Sequence, residues 1–430
     1  MAQAILPASA IMLLAMGLLN VGNYGFTVLV ARILPPDQFA TYAILYGAVI
    51  LLAVPANVLR LAIVRLATEE ATHSDDNTIS AELMTLRRNL FAFVLAGGTV
   101  LLFLATLPVF TVTGGSSLSS FLLAGFAAVI TFTLYLDRGF LQGGLRFSWI
   151  AITVVAEMGA RIGFLLLLAS ALNMGLAGTM AALLLGALLA NGVSARIVGR
   201  CAQTTSESRP TTSGQSSLAR TLLAYTAVMM AVYSAHTALR WLDVLLVQRL
   251  FPADVAGQYA ALSFAGKIIL FASLGTTETL FTFANKAHRR QEAGEPLLAR
   301  ALLLTAAVGL PILFLYAAAP GPVLEYVFGS SYTGLASSLW IMGLFMFLLS
   351  LAGVLIAYML ASGMARGALA SAIGAVLLEL ALILAFHESI QTVVLSLCAM
   401  AAFYLAALSA LIAWHSIRAR TTASPEAVPE

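Results

Sequence analysis

Three observations predict an all-α membrane protein of about twelve transmembrane helices in two repeated six-helix bundles. The first is composition: 61% of the residues are hydrophobic and 10% are charged, against roughly half and a quarter in soluble domains. So much apolar surface cannot be hidden in one water-soluble core, and lipid has to cover it. The second is that the apolar residues gather into runs of spanning length. The third is a repeat. Arg32-Ile-Leu-Pro35-Pro-Asp37-Gln-Phe-Ala-Thr-Tyr42 returns as Arg249-Leu-Phe-Pro252-Ala-Asp254-Val-Ala-Gly-Gln-Tyr259, and Arg, Pro, Asp and Tyr share one offset of 217 residues. Duplication of this kind in a membrane protein implies two bundles around a shared central cavity.

A spanning helix needs roughly 20 apolar residues. That ruler places twelve spans at about 9–31, 39–66, 88–110, 118–141, 147–171, 175–197, 219–247, 257–284, 297–319, 334–361, 367–387 and 390–415. Thr113-Gly114-Gly115 and Pro320-Gly321-Pro322 end helices at two of the joints. Each copy of the motif turns between the first two spans of its half. Arg32 and Arg249 close a helix, where its dipole favours a cation. Pro35 and Pro252 stop that helix, and Asp37 and Asp254 are placed to cap the next. The N-terminus lacks a basic region and reads as a retained first helix rather than a cleaved signal.

Residues 200–218 are rich in Ser, Thr, Gln and Gly without apolar periodicity, and read as a flexible linker. The organisation is therefore an N-terminal six-helix bundle at 1–199, the linker, a second bundle at 219–416 and a disordered tail at 417–430. Sixteen of the 22 basic residues, Arg138 among them, fall in loops or the tail of one side, and only Arg32 and Arg249 fall opposite. The positive-inside rule then puts both termini and the linker in the cytoplasm. Cys201 is expected inside and the turn at Pro252 outside.

No catalytic constellation is present in the sequence: there is no Gly-rich nucleotide loop, no HExxH, no paired-Asp glycosyl-transfer motif and no GxSxG. The five histidines are scattered, and Cys201 and Cys398 have no metal-ligand spacing. No metal, no cofactor and no nucleic-acid partner is expected. What remains is charge inside the bilayer, which costs about 2.5–3.5 kcal/mol at a helix centre and normally faces a partner or an aqueous cavity. Glu157 and Arg161 read as an intrahelical pair. Arg240 and Asp243, three residues apart, are open to two readings, a self-neutralising pair or a cavity site. Arg60 and Lys267 have no obvious partner within a turn and read as cavity cations, with Glu278, Glu379 and Asp243 as counter-charges or coupling groups. In the first half, Arg60 is the one buried basic residue without a visible partner.

With these residues placed, Asn20-Val-Gly-Asn-Tyr24 running into Ala31 through Tyr42 resembles the opening of the polysaccharide biosynthesis proteins. These are the O-antigen and exopolysaccharide flippases of the multidrug/oligosaccharidyl-lipid/polysaccharide exporter superfamily. Trp241-Leu-Asp243 through Gly257-Gln-Tyr259-Ala-Ala-Leu-Ser is similar to the start of that family's second half. The resemblance implies a transporter in a bacterial cytoplasmic membrane, opening alternately to the two sides. Its cargo would be a lipid-linked oligosaccharide carried on undecaprenyl pyrophosphate, with the polymerase and glycosyltransferases of the pathway as partners. It also implies a basic cavity to hold the diphosphate, to which Arg60, Arg240 and Lys267 could contribute. Two alternatives are a cation-coupled multidrug antiporter of the same superfamily and a membrane-embedded polymerase or ligase. The absence of a buried carboxylate in the first two spans counts against the antiporter, and short outer loops count against the enzyme.

Overall fold

The computed structural model describes residues 2–71, scattered positions between 88 and 98, and 118–143, 146–203, 215–289 and 295–422. Among these residues there is no strand, and nine helices are long and apolar enough to cross a membrane. The chain forms two compact units, Met1–Met230 with Ala253–Gly257, and Ala231–Pro252 with Gln258–Glu430.

The first unit contains α1 (Ala2–Ile33), α2 (Pro36–Ala71), α3 (Leu118–Gly143), α4 (Phe147–Phe164) and α5 (Gly175–Gln203), and the N-terminal part of α6 (Gln215–Ala238). The last turns of the fifth span widen into a π-helix at Leu165–Ala171. The joint that follows is sharp because Asn173 and Gly175 both adopt positive φ, at 52° and 53°, a conformation that glycine and asparagine accept most readily. Within this unit α2 and α5 both pack on α3, and α4 packs on α1 and α5. Phe140, Leu141, Ile150, Val154 and Val198 form the centre of its apolar core.

The second unit contains the end of α6, then α7 (Leu242–Leu250), α8 (Ala253–Arg289), α9 (Glu295–Ala318), α10 (Pro320–Phe328), α11 (Leu339–Ala361), α12 (Ala365–Ala385) and α13 (Ile390–Thr422). A 3-10 segment, Ser330–Ser338, leads into α11. Almost every side chain of α11 is buried, against α9 on one side and α13 on another. By contrast Leu303 and Phe314 of α9 and Trp414 of α13 are exposed. Apolar side chains thus face outward while charges lie within, as expected where the solvent is lipid.

All expected spans except the third fall on these helices, and the third, 88–110, lies mostly outside the described residues, as do 204–214 of the linker and 423–430 of the tail. Three expectations need correction. Span seven is broken, ending as α6 at Ala238 and restarting as α7 at Leu242. Asp37 and Asp254 are not caps, because α2 begins at Pro36 and α8 at Ala253; they stand inside the first turn, where the helix dipole favours them. Arg138 is not a loop residue, for it is buried on the last turns of α3. Its nearness to the end of an apolar run hid this.

Candidate functional site

Buried charges form one set in each unit. In the first, Glu157 of α4 is shared by two arginines. Its Oε2 accepts from Arg138 at 2.7 Å, and its Oε1 pairs with Arg161 one turn along the helix. The expected intrahelical pair is present, with Arg138 as a third member. Arg138 also donates through Nε to Thr153 at 3.1 Å, and Arg161 donates to the Asn23 side-chain carbonyl at 2.9 Å. Arg60 of α2 donates to the amide oxygens of Asn57, at 2.9 Å, and of Gln142. It comes this close to α3 because Gly139 lies beneath it; a Cβ there would stand 3.2 Å from the Arg60 carbonyl oxygen. Asn57 is an i−3 neighbour that sequence reading passed over, whereas Gln142 comes from another span and no spacing points to it.

The second set is organised by the break in span seven. The amides of Leu239, Arg240 and Trp241 bond back to Ala235, Thr237 and Ala238 in a tightened last turn. A new helix N-terminus then opens at Leu242, with unsatisfied N–H groups and the positive end of a dipole. Asp243 lies in that first turn, and the carboxylate of Glu379 on α12 is near enough to act on it electrostatically. Both residues are fully buried, and neither Glu379 oxygen meets a hydrogen-bond donor among the described residues. Broken membrane helices present such termini at binding sites.

Across from Asp243, Tyr259, Ser263 and Lys267 recur every fourth residue along one face of α8. Tyr259 Oη donates to Asp243 Oδ2 at 2.7 Å, and Ser263 Oγ donates to the same oxygen at 3.3 Å. Lys267 Nζ donates to Ser263 Oγ at 2.7 Å and sits 4.1 Å from the Trp241 ring centroid and 5.1 Å from that of Phe264. The two rings meet edge to face. Lys267 therefore joins Asp243 through Ser263, and an aromatic wall covers its ammonium.

Arg240 lies beside this arrangement and not within it, near enough for its charge to act on Lys267. It is half-buried, and its Nε meets no acceptor among the described residues. Its polar surroundings are the phenols of Tyr233 and Tyr404 and the ring of His236. The break removes the regular helical register that would have set Arg240 beside Asp243 as a pair. The structure thus brings Asp243, Lys267 and Glu379 together and leaves Arg60 in the other unit; the side chain of Glu278 lies outside the described residues. Trp241 and Ser263 were missed in the sequence, and Tyr259 was read as part of the turn. The i, i+4, i+8 spacing of Tyr259, Ser263 and Lys267 was the available signal. Among the described residues no group of three or more His, Cys, Asp and Glu could hold a metal ion.

The two-unit helical architecture is that of a multi-pass membrane transporter fold. Over 95% of this chain and 96% of the other, it is similar to an inward-facing multidrug resistance MATE family transporter of the MOP superfamily, with TM-score 0.75 and 13% identity. An outward-facing form of such a transporter matches over 96% and 95%, with TM-score 0.68 and 16% identity. A MOP superfamily transporter from Pyrococcus furiosus, described as having a binding pocket of reversed polarity that suggests a different function, matches over 95% of both chains with TM-score 0.67 and 16% identity. At these identities the likeness establishes the fold. A family model described as polysaccharide biosynthesis protein matches residues 6–263, and the chain belongs to that family. No curated protein matches it.

Proposed function

We propose that the protein is a flippase that carries a lipid-linked oligosaccharide, attached through undecaprenyl pyrophosphate, across the bacterial cytoplasmic membrane by alternating access. The observation that carries this reading is the guanidinium of Arg240, at the break between two apolar helices, whose buried Nε meets no acceptor among the described residues. A phosphate oxygen is the acceptor such a group takes, and arginine can grip it through two parallel bonds. Family membership and fold support the reading. In it, Arg240 contacts the diphosphate, and Arg60 of the first unit is a further source of positive charge for the cargo. Lys267 acts behind Arg240 as part of the Asp243 cluster. The protein carries out transport rather than bond chemistry, and the polymerase and glycosyltransferases of the pathway act before and after it.

Loss of the protein should abolish surface glycan while the lipid-linked unit accumulates on the cytoplasmic leaflet. If the unit is instead exposed outside and left unpolymerised, the polymerase reading replaces this one. Orientation has its own test, motivated by the excess of basic residues on one side. A reporter fused after Thr205 should respond as cytoplasmic and one after Ala253 as external; the same response at both sites rejects that topology.

A further inference from the structure

The polar oxygens around Asp243 have the composition of a monovalent-cation site. Asp243 contributes a carboxylate whose Oδ2 holds Tyr259 and Ser263 and whose Oδ1 meets no hydrogen-bond partner among the described residues. Two hydroxyl oxygens and the nearby Glu379 carboxylate add further negative potential. A buried carboxylate of this kind needs a positive neighbour, and in a transporter that neighbour can be a free alkali ion. Here the positive charge comes from the chain itself. The Lys267 ammonium lies one hydroxyl away from Asp243, 99% of the residue's surface is covered, and the Trp241 and Phe264 rings wall it off.

We infer that Lys267 is a tethered counter-cation for Asp243, joined to it through Ser263 and taking the place of an alkali ion, so that the protein binds no alkali ion there. An ammonium and a small alkali ion carry the same charge and take the same hard oxygen ligands, so one excludes the other. Trp241 adds a feature a metal would not use, a π-face turned to the ammonium. The break at Leu239–Trp241 is what delivers both pieces, Trp241 from the turn and Asp243 from the first turn after it. Any cation gradient that drives this protein must therefore act elsewhere. The inference is independent of the identity of the cargo.

The test is thermal unfolding of the purified full chain in lithium, sodium, potassium and choline chloride at one ionic strength. The wild type should melt at the same temperature in all four. Lys267→Ala should melt lower in choline chloride and recover by about 2–4 °C in one of the alkali chlorides or in n-propylammonium chloride. Adding Asp243→Asn to that variant should abolish the recovery. A wild-type response to one alkali ion that disappears in Asp243→Asn would overturn the inference, as would a Lys267→Ala protein indifferent to every cation tried. If Lys267→Ala cannot be recovered from membranes, Lys267→Met is compared with Lys267→Met/Asp243→Asn by membrane level. The double variant should accumulate better, because the Asp243 carboxylate is no longer buried without its counter-cation; equal or poorer accumulation overturns the inference.

Discussion

Tyr42 and Tyr259 occupy the same place in the two copies of one motif, and both are fully buried, yet they hold different things. The Tyr42 hydroxyl shares a hydrogen bond with the neutral Thr27 hydroxyl at 2.9 Å, and its ring stacks between Phe39 and Tyr46. Tyr259 donates to a carboxylate. At the repeat offset, Phe26 and Ile50 stand where the second half has Asp243 and Lys267. The first copy therefore closes its turn over an apolar and aromatic interior, the second over an ionic one. The buried carboxylate of the first half is Glu157 of α4, which two arginines divide, and one of them, Arg161, lies near enough for its charge to act on Tyr42 and Tyr46. The two copies share the turn and differ in what their tyrosines meet.

Removing one polar group at a time separates the two interiors energetically. The largest loss is expected from Glu157→Gln, which leaves Arg138 and Arg161 buried without their shared anion. Unpairing a buried charge costs about 3–5 kcal/mol, so the variant should reach the membrane at a small fraction of the wild-type level on a blot. A normal level would mean that the triad does not hold the first unit together. Tyr259→Phe comes next, since it removes a bond to a charged acceptor worth about 1.5–3 kcal/mol. Tyr42→Phe removes a bond between two hydroxyls worth about 1 kcal/mol. Measured side by side by thermal unfolding, the two Tyr→Phe variants should differ, with Tyr259→Phe melting lower. Equal shifts would show that the ionic and neutral interiors are energetically alike and would remove the distinction drawn between the repeats.

The fold was legible because it rests on long-range regularities that survive in one dimension. Runs of about twenty apolar residues and a repeated Arg-Pro-Asp-Tyr spacing locate spans and their turns without knowledge of any contact. The break in span seven was not legible, since Leu239-Arg240-Trp241 contains neither glycine nor proline and its apolar run continues on both sides. The widening at Leu165–Ala171 was hidden for the same reason. Site residues were legible one by one, because an ionisable side chain inside an apolar run is conspicuous. Their partners were legible only along a single helix. Asn57 beside Arg60 and Ser263 beside Lys267 follow from spacing, whereas Gln142, Glu379 and Asn23 come from other spans. Arg138 was misplaced because a count of basic residues near span ends cannot tell a snorkelling side chain from one turned inward.

The central claim is that the charge of Arg240 is available to a phosphate and is not consumed by Asp243, whose partners are Tyr259, Ser263 and, through Ser263, Lys267. The direct measurement is surface glycan beside membrane level in Arg240→Ala, Arg240→Lys and Arg240→Ala/Asp243→Ala. Arg240→Ala should reach the membrane at a normal level and display no glycan, and Arg240→Lys should retain part of the output, since a point charge still attracts phosphate without the bidentate fork. Removing Asp243 as well should restore nothing. Near-normal glycan from the double variant would contradict the account, because it would show that the two residues serve only to neutralise each other.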